Sequence, residues 1–355
     1  MTRRLFAEHA SDGFNEWMEK CVQDIGADAN RALGDNLHAL VLGGGYARGE
    51  GGVVRAGGHE APYNDLDFVL VVHEHRGNPS GLLRPVSHRH EKTLGIDVDF
   101  SRPLTVSDVR QWPHWLMWSD LLAAHRVILG PGDILTANAP RALLGSPPLI
   151  EATRLLLNRG AGLLWSLRIA RGLEGARDAD FIRRNLHKCE LAIGDSVIMA
   201  HGRHQPRYTG RDAILEELLS SDQAARCFAS LDAYRAALAF RLEPSSAEAS
   251  QPSEALLSAT AERWVKAFVH LEQRRAERDF TNWESYARWD GIREASLNSL
   301  AEMPRNLVRN ARLGRLSARY PRERLLRTLP GLLLLRGSRW DTESSQFLRE
   351  WGKYN

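Results

Sequence analysis

The feature that most restricts this chain is the run Leu66–Val72, LDFVLVV, its clearest strand, with Asp65 and Asp67 at its start. Strand alternation puts those two acids on one face, a few ångströms apart. Two like charges so close are unfavourable unless one is protonated or a cation lies between them. A divalent metal is the economical reading; a pair of solvated carboxylates on an edge strand is the bland one.

The sequence around that strand sharpens the choice. Ala39–Leu42 reads as a short buried strand that runs straight into glycines, LVLGGGYARGEGG. Glycines there permit a tight turn and let backbone N–H groups approach an anion. A helix starting near Tyr46–Glu50 would add positive potential, and Arg48 could meet a phosphate oxygen. A purely structural turn is the alternative, and Glu50 reads as a helix-start acid or a helper in metal or substrate binding. Downstream, Gly95–Phe100, GIDVDF, is a third strand, with Ile96, Val98 and Phe100 on one face and Asp97 and Asp99 on the other. Paired beside Leu66–Val72, it would complete a three-carboxylate site able to hold two Mg²⁺ ions for an in-line phosphoryl displacement.

Together, Gly44-Gly45-Tyr46-Ala47-Arg48-Gly49, Asp65-Leu66-Asp67 and Ile96-Asp97-Val98-Asp99 resemble the signature of the DNA polymerase β-like nucleotidyltransferase superfamily. The resemblance covers about 60 residues. It implies a small mixed sheet flanked by helices, Mg²⁺ (or Mn²⁺) as cofactor, and an NTP, by family habit ATP. The NMP group, by default AMP, would pass to a hydroxyl acceptor, a small molecule or a nucleic acid. It also implies roles: Gly44, Gly45 and Tyr46 at the triphosphate, Arg48 near the phosphates, and Asp65 and Asp67 as the metal pair. Asp97, within an Ile-Asp-apolar run, is the better match to the third acid and metal ligand, with Asp99 the alternative; all four acids are candidate catalytic residues. One departure is length. Gly44 and Asp65 lie 21 positions apart, more than is usual, and Gly51–Tyr63 reads as an inserted hairpin or lid.

After Ile150 strand signals nearly vanish. Helices are expected at about 150–172, 179–201, 211–220, 222–242 and 254–275, and a helix-like stretch at 120–127 precedes a Pro/Gly-rich linker at 130–148. The expected architecture is α+β: a nucleotidyltransferase domain at 1–148, a helical substrate- and nucleotide-binding domain at 149–275, and an Arg-rich, mostly helical region at 276–355 packed on it. Lys188 is one of five lysines among 47 basic residues and sits mid-helix. Resemblance to superfamily members with a helical second domain places such a lysine on the triphosphate; a surface lysine paired with Asp195 or Glu190 is the alternative. Tyr208 and Arg211 are either cleft-border or ordinary loop residues, and Asn158-Arg159 is a candidate buried polar pair.

Other signals are bland. His73, His75, His88 and His90 form two HxH pairs that read as strand ends and loop rather than metal ligands. Met303–Trp340 carries ten arginines and one acid, Glu323, which fits either a nucleic-acid or acidic-partner surface or amphipathic helices with arginines in water. A formal charge of +3 does not by itself imply nucleic acid. Three scattered cysteines and no signal-peptide-length apolar run point to a soluble, cytoplasmic protein without a membrane partner. A non-catalytic nucleotide-binding regulator or toxin–antitoxin component is the alternative to an enzyme.

Overall fold

The computed structural model describes residues 5–175, 179–244, 251–334 and 337–354. The chain forms two compact units: one takes in 1–148 with 204–211 and 238–249, the other 149–203, 212–237 and 250–355. The fold is α+β, a small mixed sheet followed by helices, as expected.

In the first unit, α1 (Asp12–Leu33) starts at Ser11, whose hydroxyl accepts from the Phe14 N–H. Next come β1 (Leu37–Leu42), α2 (Gly44–Arg48), the hairpin β2 (Val53–Ala56) and β3 (His59–Pro62), and β4 (Leu66–Val72). The hairpin occupies the stretch expected to be inserted. Then follow α3 (Pro79–Leu94), β5 (Val98–Phe100), α4 (Val106–Arg110), α5 (Leu116–Ala123) and β6 (Arg126–Leu129). The main sheet runs β5-β4-β1-β6, with β4 and β5 parallel and the other pairs antiparallel.

Alternation along the strands divides two cores. Leu40, Leu42, Phe68, Leu70, Val72 and Val98 face α1 and α3. Ala39, Val41, Val69 and Val71 face the other way, onto Leu104, Val109, Trp112, Leu121 and Leu122. The stretch 130–148 is no bare linker, since Ile134, Leu135 and Leu143 are buried in this second core.

Three further expectations are corrected. His88 and His90 lie on a helix, α3, opened by the Asn78 cap and Pro79 at its first turn. The expected helix at 120–127 ends at Ala123, and Arg126–Leu129 pairs with β1 instead. The third strand is shorter than Gly95–Phe100, because Gly95 caps α3 with φ +70° and only Val98–Phe100 join β4.

The second unit is helical: α6 (Ile150–Ala170), α7 (Ala179–Ala200), α8 (Arg211–Ser221), α9 (Leu231–Leu242), α10 (Glu254–Ala276), α11 (Trp283–Arg288), α12 (Met303–Ala311), α13 (Arg322–Leu334) and α14 (Trp340–Tyr354), with the ends of α8 and α9 belonging to the first unit. The helix expected at 222–242 begins only at Leu231, after a 3-10 turn at Ala225–Cys227. No helix among the described residues is long and apolar enough to cross a membrane.

Candidate active site

Parallel pairing of β4 with β5 sets Asp67 directly beside Asp99. Both fall on the face of Val69 and Val71, at the strand ends where apolar cover stops, and both are exposed. Asp65, one step before β4, joins them. One carboxylate oxygen from each of Asp65, Asp67 and Asp99 lies within 4.8 Å of the others. Burial raises the Asp99 pKa, and the negative charges of Asp65, Asp97 and Glu91 raise it further. Among the described residues this is the one group of three or more His, Cys, Asp or Glu side chains placed to share a cation.

The acid gathered with Asp65 and Asp67 is thus Asp99, and the preferred Asp97 is not among them. Asp97 lies outside the strand, where its carbonyl accepts the Leu66 N–H at 3.0 Å, and its carboxylate is not in the group. Its predicted place as a metal ligand rested on its match to an Ile-Asp-apolar run, with Asp99 the alternative. The histidines are engaged separately, His75 with Asp108 at 2.8 Å, His88 with Glu91 at 3.4 Å and His90 with Asp28 at 3.1 Å.

The Gly-rich turn stands directly against this group. The Gly43 N–H donates to the Asp67 carbonyl at 2.8 Å. Gly44 has φ +70°, and a Cβ there would sit 3.0 Å from Asp67 Oδ2, so both backbone and space call for glycine. Gly45 follows on the same half-buried turn. Tyr46, expected at the nucleotide, instead faces inward. It is 1% exposed, its hydroxyl donates to the Gly52 carbonyl at 2.7 Å and accepts the Tyr63 N–H at 3.0 Å, and burial pushes its pKa up. A Cβ on Gly51 would lie 1.9 Å from its ring. Tyr46 thus closes the base of the hairpin.

Arg48 ends α2, away from Gly44, and lines a cavity of about 420 Å³ with Glu8, Ala124 and Arg207. Its Nε is buried, has no hydrogen-bond partner and lies 3.6 Å from Glu50. Burial, with the positive charge of Arg241, lowers its pKa.

Glu50 has a role sequence reasoning missed. It is 1% exposed, and its two oxygens accept the Thr209 and Tyr208 N–H groups at 2.8 and 3.0 Å. Burial alone would raise its pKa, but those two donors and Arg48 outweigh burial and hold it low. It pins the segment 204–211, which returns to the first unit after α7. The Tyr208 ring there has Arg211 and Arg241 guanidiniums 4.0 and 4.1 Å from its centre. Arg211 is buried, donating to the carbonyls of Gln205 and Arg207, so it shapes the loop. No local sequence pattern carries a contact across 158 positions.

Lys188 is exposed on α7 of the second unit. On that helix Asp195 accepts from the Tyr234 hydroxyl at 2.8 Å, and Glu190 accepts from Thr260 at 2.7 Å and pairs with Arg263. Asn158 is half-buried and accepts from Trp351 Nε1 at 3.1 Å.

No family model and no curated protein sequence matches the chain. Among solved structures it is similar to the spectinomycin adenyltransferase AAD(9) from Enterococcus faecialis, in a crystal structure with ATP and spectinomycin. The identity is 15% and the TM-score 0.40, over 70% of this chain and 98% of that one.

Proposed function

We propose that this chain is a Mg²⁺-dependent nucleotidyltransferase that moves NMP, in the first instance AMP from ATP, onto a hydroxyl acceptor and releases pyrophosphate. The observation that carries this reading is the gathering of Asp65, Asp67 and Asp99 against Gly44. Three exposed carboxylates without Cys or His are a hard, all-oxygen donor set, which suits Mg²⁺ or Mn²⁺. When bound, the ion would supply neutralising charge to the phosphoryl oxygens.

The chain's own residues divide the work. Asp65 and Asp67 would hold the cation, with Asp99 beside them. Asp99, whose proton affinity is raised by burial and by the neighbouring acids, takes the proton of the acceptor hydroxyl. The acceptor oxygen forms its bond to the α-phosphorus as the bond from that phosphorus to the α,β-bridging oxygen breaks, and pyrophosphate departs. Gly44 and Gly45, without side chains, leave the turn's backbone open to the triphosphate. Arg48, whose buried Nε has no hydrogen-bond partner, is assigned to the phosphates by the resemblance. Catalysis of this kind consists mainly of positioning and charge stabilisation.

The test is calorimetric NTP binding with Mg²⁺ and with chelator, together with turnover, on wild type and on Asp65→Ala/Asp67→Ala. Binding should require metal and vanish in the double variant. Turnover should fall about 10³-fold or more, since several kcal/mol of transition-state stabilisation is removed. Folded wild-type protein that binds no NTP under any metal condition would sink the proposal.

A further inference from the structure

Two neighbouring cavities open along α13 in the second unit. The first, about 430 Å³, lies beside Arg319 and Tyr320; the second, about 490 Å³, is walled by Trp283 and Trp340. Arg324, Arg327 and Thr328 line both, so the two form one groove. Each has the volume of a small-molecule site.

The groove is positively charged: five arginines line it against two acids, Glu323 and Glu343. Glu323 turns inward, its Oε1 accepting the N–H groups of Arg293 and Glu294 at 2.7 Å each and Asn298 Nδ2 at 3.0 Å. Arg315 and Arg324 are paired to Glu350. Arg319 and Arg327 are held differently. Arg319 donates to the carbonyls of Gly291, at 3.4 Å, and Asp290, and Arg327 Nε donates to the Ala287 carbonyl at 2.9 Å. A carbonyl fixes a guanidinium without cancelling its charge. Burial and the positive charges of Arg293 and Arg319 lower the Arg327 pKa, the mark of crowded cations that an anion would relieve.

The walls are aromatic and fixed. Trp340 is 7% exposed, its Nε1 tied to the Leu332 carbonyl at 2.6 Å. Trp283 is half-buried over Gly331, where an added Cβ would lie 2.8 Å from the ring. The order along the groove is therefore ring, shared arginines, ring. A ligand with two planar groups joined through an anion matches it, and that is the repeating unit of a nucleic-acid strand.

We propose that this groove binds single-stranded nucleic acid, with its phosphates at Arg327 and Arg339 and bases against Trp283 and Tyr320. The groove is lined by residues of the second unit alone, and the assignment stands whether or not the chain transfers nucleotides.

The test uses the full chain and a labelled oligouridylate, read by anisotropy and by tryptophan quenching, at about 50 mM salt and upward. Wild type should bind, quench, and weaken linearly in log–log salt. Arg327→Gln/Arg339→Gln should flatten that slope by about 1.4, from two phosphate contacts at about 0.7 each. Trp283→Leu should weaken binding roughly 5- to 150-fold, the loss of one stacked base. Thermal melts establish that each variant is folded; Arg339 is exposed, so Arg339→Gln alone keeps the test open if another variant is not. Absence of binding overturns the proposal, as does a salt slope unchanged in the arginine variants. Inorganic polyphosphate competing as well as the oligonucleotide at equal phosphate would also overturn it, by making the groove a plain anion site.

Discussion

Carboxylates are gathered in both units, on opposite terms. In the first, Asp65, Asp67 and Asp99 bring like charges together at an exposed sheet end. In the second, buried acids meet arginines. Glu272 accepts from Thr153 at 2.6 Å and from Arg275 through two nitrogens at 2.7 and 2.6 Å, and Glu294 is held by Arg154 and, at 3.0 Å, by Arg322. The pKa directions differ accordingly. For Glu294 burial acts upward, but Arg154 and Arg322 outweigh it and hold the carboxyl low, whereas burial and neighbouring acids push Asp99 up. An acid matched to a guanidinium is scaffold; acids set against one another store unfavourable charge that a cation would relieve.

The largest stability effect should therefore fall in the second unit. Glu294→Ala leaves Arg154 and Arg322 without their shared buried acceptor and should cost about 3–5 kcal/mol in denaturant or thermal unfolding. Asp65→Asn, measured without metal, should cost nothing and can raise the melting temperature. Equal losses at both places would break the comparison.

How much of this was legible follows from the same contrast. Asp65 and Asp67 announce themselves because β4 is a continuous apolar run whose alternation is local. Asp99 was harder, since its choice over Asp97 depends on where β5 joins β4, and a left-handed cap at Gly95 sets that. Helix α3, which carries His88 and His90, begins at Asn78-Pro79-Ser80-Gly81, residue types as usual in loops as at a helix N-terminus. A four-residue strand such as β6 carries too few residues to show a period. The arginine-rich segment 303–340 could not be divided by sequence into Arg315 and Arg324, spent on Glu350, and Arg319 and Arg327, held by carbonyls.

Glu50 sharpens the comparison from within the first unit, since it is a paired, buried acid close in sequence to the glycine turn. Glu50→Gln removes charge-assisted bonds to the Tyr208 and Thr209 N–H groups and should cost about 2–3 kcal/mol. The pH sign follows from its lowered folded pKa. Its stabilisation is present above the ordinary glutamate range and lost as pH falls through the depressed value. The acid limb of a melting-temperature profile should be flatter in the variant; matching profiles would mean that Glu50 does not hold the loop as a charged group.

The smallest effect, and the most discriminating, belongs to Asp99. Its folded pKa is raised, so its stabilising share is present below the ordinary aspartate range and lost as pH rises through the folded value. Without metal, Asp99→Asn should make the protein more stable near neutral pH, by up to about 1 kcal/mol for so exposed a charge. Adding Mg²⁺ should then raise the wild-type melting temperature more than that of the variant, because the ion gains most where the negative charge is densest. A variant less stable than wild type in chelator would mean that Asp99 is satisfied by the protein alone, and the three acids would join the scaffold carboxylates of the second unit.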